Sequence, residues 1–586
     1  MQERGNDFAV IGAADPPVRP LFIFCYVIGS NTTSIFKVQT ARVHKGASFR
    51  AQWITLSALS PVQVFVRELL FVLTNTFLNF QLSLSKQLNE AAKMSSCSGP
   101  EDAKVVIVGS GFAGLAAAAT LVKGGFENVL VLEAKERIGG RVHTIKPFTE
   151  NIIEVGANWI HGQKGNPLYK IAKEENLLSE GTSSKKSRSV TSEDYFFKED
   201  GKQVSTKLVD QVCSYFSKLT DKASDDELEP RHRELSRGAY LDDAFGESPL
   251  AEKENAHQVF EWCKRNECTD EACSSLYEVS ASTISNYTAL KGEFFNTLGP
   301  GGYRAILDVL LKDLPSGTIQ CSAPVKSIRW DLVKKGHCED QRYPVQLVCE
   351  NGQSFEADHV IVTVSLGVLK DKASTMFEPP LPPTKLAAIE NLDFGIVDKI
   401  FLFFEKRFWP DDCAGVQLLW KEGPEDKDVY ESLSEGEAWK KTWFKKITGF
   451  DTVARHPTAL CGWITGREAL YMEKLPDSEI RDNCVRLLRS FTGWSVPEVS
   501  KMLISRWGSD SHVRGSYTFI PDGVDGVKAQ KALASPLPPK DESKGRKHLQ
   551  VLFAGEATNE NFYTTTHGAY LTGVREAERL INYYAD

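Results

Sequence analysis

Lys399 stands at the head of an unbroken apolar run, Ile400 to Phe404, within the stretch DFGIVDKIFLFFEKRFW. An ammonium group in such a place is costly to bury unless it is satisfied or put to use. His161 lies in EVGANWIHGQKGNP (154–167), two residues after Trp159, among Gly156, Gly162 and Gly165. Those glycines let the backbone run close to a flat ring. Without that setting, Lys399 reads as a surface cap on a strand and His161 as an ordinary loop histidine. Glu278 in SLYEVSAS, Trp463 in GWI and Tyr517 in RGSY read, on their own, as a surface acid and two core aromatics.

The element that must position them is the stretch from Lys104 to Arg141. An apolar strand, Lys104 to Val108, runs into a G-x-G-x-x-G turn at Gly109, Gly111 and Gly114. An Ala-rich helix follows, and a second strand, Val129 to Leu132, ends on Glu133. The first glycine permits the tight turn, the second lets backbone approach a pyrophosphate, and the third lets helix pack on strand. The helix N-terminus offers free N–H groups to phosphate. Glu133 stands close to the spacing of roughly 20 residues at which an acid accepts hydrogen bonds from a ribose. The order of these parts predicts a dinucleotide site. Arg137, Gly139, Gly140 and Arg141 then place two guanidinium groups beside a second glycine turn, suited to bidentate phosphate contact.

That extension, E-R-x-G-G-R, is superfluous in a nicotinamide unit and resembles the FAD fingerprint of the flavin amine oxidases. The segment around His161 resembles the polyamine oxidase branch of that family. The resemblance implies non-covalent FAD, because RGSYTF carries no cysteine where monoamine oxidases attach their flavin. It also implies Trp159 beside the cofactor, His161 facing the substrate amine, and Lys399 holding a water against flavin N5. Trp463 and Tyr517 would flank the C–N bond, and Glu278 would receive a distal substrate nitrogen. Pro324 to Ile328 is similar to the strand whose valine, here Val325, meets the adenine end. In VLFAGEATNENFYTTTHGAY, Gly555, Glu556, Thr565 and Thr566 form the second cofactor half-site, with a helix N-terminus against the flavin pyrimidine.

The implied fold is an α/β FAD-binding Rossmann-type domain, discontinuous in sequence, with an α+β substrate domain built on a mixed sheet. The expected FAD-binding parts are 101–185, 315–390 and 531–586, and the substrate-binding parts are 186–314 and 391–530. The implied reaction oxidises a secondary amine of spermine or an N1-acetylated polyamine with O2, giving an aminoaldehyde, a shorter amine and H2O2. Asn158 and Ile396–Val397 depart from the close relatives and leave the substrate preference open. The alternatives are an L-amino-acid oxidase, a histone demethylase-like enzyme, and a non-catalytic FAD-binding relative.

Composition agrees with a globular enzyme. The chain has 586 residues, 42% hydrophobic, with a formal charge of -8. That charge argues against nucleic acid as a main partner. The cysteines, including Cys263, Cys268 and Cys273, match no usual zinc spacing, so no metal is expected and they read as reduced intracellular thiols. Residues 1–100 form an extension of doubtful function, with 1–93 read as nonfunctional or as a mis-predicted upstream exon. Its run Leu21 to Ile28 is too short to cross a bilayer, and a membrane helix over Leu69 to Leu82 is the lesser alternative. The terminal Tyr584-Ala585-Asp586 differs from a peroxisomal tripeptide, so a cytoplasmic monomer or weak oligomer is expected, without membrane attachment.

Overall fold

The computed structural model describes residues 21–30, 33–42, 51–56, 99–148, 150–179, 193–333, 342–421, 437–539 and 547–585. The chain divides into two compact units, Met1–Cys97 and Ser98–Asp586. In the first unit, Leu21–Ser30, Thr33–Arg42 and Ala51–Leu56 form an antiparallel three-stranded sheet. The Leu21 to Ile28 run is therefore a strand, whereas Leu69 to Leu82 lies outside the described residues. Among the described residues no helix is long and apolar enough to cross a membrane.

Two of the sheets in the second unit position the site. The β-branched strand Lys104–Val108 is buried from Val105 onward, as a parallel strand covered on both faces must be. It lies at the centre of a parallel five-stranded sheet ordered Val551–Phe553, His359–Val362, Lys104–Val108, Asn128–Leu132 and Ile319–Gln320. The helix Phe112–Lys123 buries Ala116 to Ala119 and lies against the C-terminal helix Thr566–Ala585. Small side chains set this approach. A Cβ on Gly573 would stand 2.0 Å from the Ala113 carbonyl oxygen.

The other sheet is mixed and six-stranded, ordered Lys501–Ile504, Val397–Phe403, His456–Thr465, Gly449–Val453, Gly415–Leu419 and Asp194–Lys198. Only its last pair is parallel. Every residue of Val397–Phe403 is buried. Lys399 is the third residue of this strand rather than its surface cap, because the strand starts before the purely apolar run.

Two stretches complete the frame. The polar stretch 185–260 is mostly helical where described, with helices Thr206–Ser224 and Arg237–Gly246 and the start of Ala256–Glu271. It also supplies the edge strand Asp194–Lys198, whose aromatic pair Phe196 and Phe197 is buried. In FEPPLPP, Phe377–Glu378 pairs with Val325–Arg329, and the last proline opens the helix Pro383–Asn391. Proline fits a first helical position, where its missing N–H costs nothing.

Gly573→Ala should lower unfolding stability by about 1–3 kcal/mol, the usual range for overpacking. Chemical denaturation of the two proteins measures this directly.

Candidate active site

One cavity of about 550 Å³ is lined by residues from both sheets. At one end the strand Lys104–Val108 passes into Gly109, whose φ of +106° no β-carbon residue adopts comfortably. A Cβ on Gly114 would stand 1.9 Å from the Gly109 carbonyl oxygen, so helix and turn close tightly. A Cβ on Gly111 would meet only the Gly139 carbonyl, at 3.9 Å, and one on Gly555 would meet nothing within 4 Å. Both open onto the cavity wall. Gly140 and Val325 lie on the same wall. Glu133 is buried there, and its carboxylate accepts from the Ser110 amide at 2.9 Å, the Ser110 hydroxyl at 2.6 Å and the Lys135 amide at 2.9 Å. Those bonds fix its direction at the end of the second strand.

The two arginines of the second glycine turn part company. Arg141 lines the cavity and donates through Nη1 to the Ser516 carbonyl at 2.8 Å and Glu556 Oε1 at 2.9 Å. Arg137 is absent from the lining, contrary to the sequence expectation. Its guanidinium donates to the carbonyls of Ile138, Gly140 and Val142 at 3.2, 2.9 and 3.3 Å and so braces the turn from behind. Glu556 reaches the cavity but has its oxygens occupied by protein donors. Besides Arg141 it accepts from the Thr518 hydroxyl at 3.1 Å and the Thr564 amide at 3.0 Å. Thr565 Oγ1 accepts from the Gly568 amide at 2.9 Å and caps the helix beginning at Thr566, whose first turn faces the cavity.

Lys399 enters from the other sheet. Its Nζ donates to the carbonyls of Glu154 at 2.9 Å and Gly156 at 2.7 Å and sits 4.7 Å from the centroid of the Trp463 ring. An ammonium has three donors, so one remains for the cavity. Burial pushes Lys399 down to about 8. Trp463 stacks on Trp159 at 5.8 Å and 20°. Tyr303, which sequence reasoning passed over, fixes Trp159 by donating to its carbonyl at 2.5 Å while meeting Thr566 Oγ1 at 3.1 Å. His161 packs on Phe294 at 4.5 Å, and its buried Nδ1 has no hydrogen-bond partner. Burial lowers the imidazole to about 4, so it is neutral near pH 7. Tyr517 lines the cavity and donates to the Thr269 carbonyl.

Glu278 does not belong to this group. Its carboxylate turns back to accept from the Ser274 amide at 3.1 Å, and it does not line the cavity. Besides Glu133, Glu556 and Asp451, the acids that do are Glu267, Asp270 and Glu271, from the end of the helix Ala256–Glu271. Their i, i+3, i+4 spacing puts them on one face. Buried Arg237 pairs with Glu271 and stands 3.6 Å from Glu267. Asp270 is accessible, but to a space enclosed by protein. Burial and then Asp270 push Glu267 up to about 8, and burial and then Glu271 push Asp270 up to about 7. The signal was present in NECTDE, where the interleaved cysteines drew the reading instead.

Residues 112–581 match the model of the family described as flavin containing amine oxidoreductase. The chain belongs to that family. It is 35% identical over 503 residues to the peroxisomal N(1)-acetyl-spermine/spermidine oxidase of Bos taurus, covering 82% of this chain and 94% of that protein. The protein of the same name from Homo sapiens is 35% identical, with 83% and 96% covered. The probable polyamine oxidase 5 of Arabidopsis thaliana is 31% identical, with 82% and 98% covered.

The cavity of this amine oxidoreductase fits a flavin nucleotide. Gly111 and Gly555 leave open the spaces that side chains would fill, and a helix N-terminus and Arg141 supply positive potential. Among the described residues no group of acids, cysteines and histidines could hold a metal ion. Lys399→Met should leave flavin bound and cut turnover by about 100-fold or more, within the usual range for losing a proton-handling group. The flavin absorbance of the purified variant and its stopped-flow reduction check the two halves of that statement.

Proposed function

We propose that this chain is an FAD-dependent polyamine oxidase, acting on spermine or an N1-acetylated polyamine. The observation that carries the reading is the acidic face of Glu267, Asp270 and Glu271 on the same cavity as Lys399, His161 and Trp463. Three carboxyl groups with Arg237 as their cation suit a substrate with positive charge away from its reacting nitrogen. The relatives, N(1)-acetyl-spermine/spermidine and polyamine oxidases, supply the class of amine.

The Gly109 to Gly114 turn, Glu133, Arg141, Val325 and the Thr565–Thr566 helix start would hold the FAD. Bound there, FAD would supply a two-electron acceptor for the carbon beside the amine nitrogen, with O2 as the terminal acceptor. The protein's own work is to orient and to manage protons. Trp463 and Tyr517 wall the amine, Nδ1 of neutral His161 accepts a hydrogen bond from its N–H, and the third donor of Lys399 holds a water. Hydrolysis of the oxidised amine then gives an aminoaldehyde and a shorter amine, with H2O2 as the product from oxygen. The Rossmann-type description, and the division into FAD-binding and substrate-binding parts around these sheets, belong to the same proposal. So does a monomer or weak oligomer with no nucleic-acid partner, in keeping with the charge of -8. A cytoplasmic setting belongs to the same proposal. Fractionation against a peroxisomal marker tests it.

Peroxide release should be fastest with spermine or N1-acetylspermine among a panel including benzylamine and leucine. Equal or faster turnover of leucine would move the assignment to an amino-acid oxidase. The acids add a pH dependence. Glu267 and Asp270, at about 8 and about 7, are protonated at low pH and attract a cation only as they ionise. The KM for a polyamine should therefore fall as pH rises through 7 and 8, and Glu267→Gln with Asp270→Asn should flatten that fall. Asp270→Asn alone should raise KM about tenfold, the value of one charged hydrogen bond, with kcat nearly unchanged.

A further inference from the structure

Strand alternation that turns Lys399 toward the cavity turns Asp398 away from it. Asp398 is fully buried. Its Oδ1 accepts from the Ser505 hydroxyl at 2.7 Å and the Trp507 amide at 3.2 Å. Its Oδ2 is buried with no hydrogen-bond partner, and the Asp398 side chain meets that of Glu473. Glu473 follows the helix Gly466–Met472 and accepts from the Gly508 amide at 2.7 Å and the Ser509 amide at 2.5 Å. Two ionised carboxylates do not remain together in a buried site without a cation. Among the described residues neither has an ion-pair partner. Arg506 sends Nε to the Glu473 backbone carbonyl at 3.1 Å and Nη2 to Asp477 at 2.6 Å.

We propose that a proton shared between Asp398 and Glu473 closes this gap, and that the pair is a positioning device for Lys399 and Trp507. The proton resides on Asp398 Oδ2 and is donated to the Glu473 carboxylate, which satisfies the orphan oxygen and leaves the pair with a single negative charge. Burial and the charge of Glu473 act in the same direction, pushing the Asp398 carboxyl well above its ordinary value. The groups facing the pair are Ser505 and the amides of Trp507, Gly508 and Ser509, with Arg506 engaged elsewhere. From there the influence reaches Lys399 by two routes. Ser505 Oγ accepts from the Lys399 amide at 2.8 Å. The Trp507 ring lies 3.1 Å from where a Cβ on Gly156 would be, and the Gly156 carbonyl holds Lys399 Nζ at 2.7 Å.

The test is infrared spectroscopy of the holoenzyme near pH 9, about where ordinary carboxyl groups are fully ionised. Glu267 and Asp270, at about 8 and about 7, are then mainly ionised as well. A carboxylic-acid C=O band above the amide I region, shifting in D2O, should be present and should vanish in Asp398→Asn. That amide donates to Glu473 in place of the shared proton, so Asp398→Asn should keep kcat within about threefold, while Asp398→Ala should lower kcat about tenfold with KM little changed. Absence of the band in the wild type, its survival in Asp398→Asn, or an Asn variant as impaired as the Ala variant would overturn the proposal. Should Asp398→Ala fail to fold, the infrared and Asn arms decide alone. The infrared arm needs no turnover, so it stands or falls separately from the choice of substrate.

Discussion

Glu556 is the point at which the cavity closes. A carboxylate 3% exposed is tolerated only with full compensation. Here the compensation comes from three separate stretches of chain: Arg141 after the second glycine turn, Thr518 beside Tyr517, and Thr564 ahead of the C-terminal helix. Arg141 and Thr564 line the cavity themselves, and Thr518 follows Tyr517, which does. Breaking the pair would strand a guanidinium and a carboxylate in a poorly solvated place, a larger loss than a surface ion pair incurs. The site is therefore held by the same group that the sequence motif marks, although that group acts on protein before it acts on any ligand.

A comparable economy governs Lys399. The strand that carries it is buried along its whole length, so the side chain can be there only if its donors are met. Two are met by the carbonyls of Glu154 and Gly156, from the loop that also carries Trp159 and His161. The bonds that make burial affordable also fix that loop against the strand. Gly156 is required for this approach, because a Cβ there would stand 1.8 Å from the Arg141 carbonyl oxygen. Turn, loop and lysine are thus coupled through main-chain atoms.

The parts legible in the sequence were those whose cause is local. Gly109, Gly114 and Glu133 follow from turn sterics and strand length, and the structure places Gly109 and Glu133 just after the strands expected and Gly114 in the first turn of the helix between them. Family membership followed from such motifs taken together. Side-chain direction was less legible. Arg137 and Arg141 are four residues apart in one turn, yet one guanidinium faces the cavity and the other spends its donors on the turn's own carbonyls. Glu278 and Glu271 are separated by a helix end at Ala272, whose φ of +59° reverses the chain, so neighbouring acids point to different places. A motif fixes which residues are near. The packing of the helix decides which of them look inward.

The electrostatics of the acidic end then bear on what the cavity will hold. Arg237 is buried and faces Glu267 and Glu271, so its single charge balances at most one of the two, and Asp270 adds a third carboxyl group. Burial resolves the excess by favouring the protonated forms of Glu267 and Asp270. An arriving ammonium group reverses that balance, since it supplies the cation whose absence holds the protons there. Binding of a cationic amine and release of protons are thereby linked at this end, while the neutral imidazole of His161 and the Lys399 amine stand apart from that exchange. A neutral ligand gains nothing from these carboxyl groups, and an anionic one is opposed by them. That asymmetry, set by three residues on one helical face, is the physical basis for the preference proposed for cationic amines.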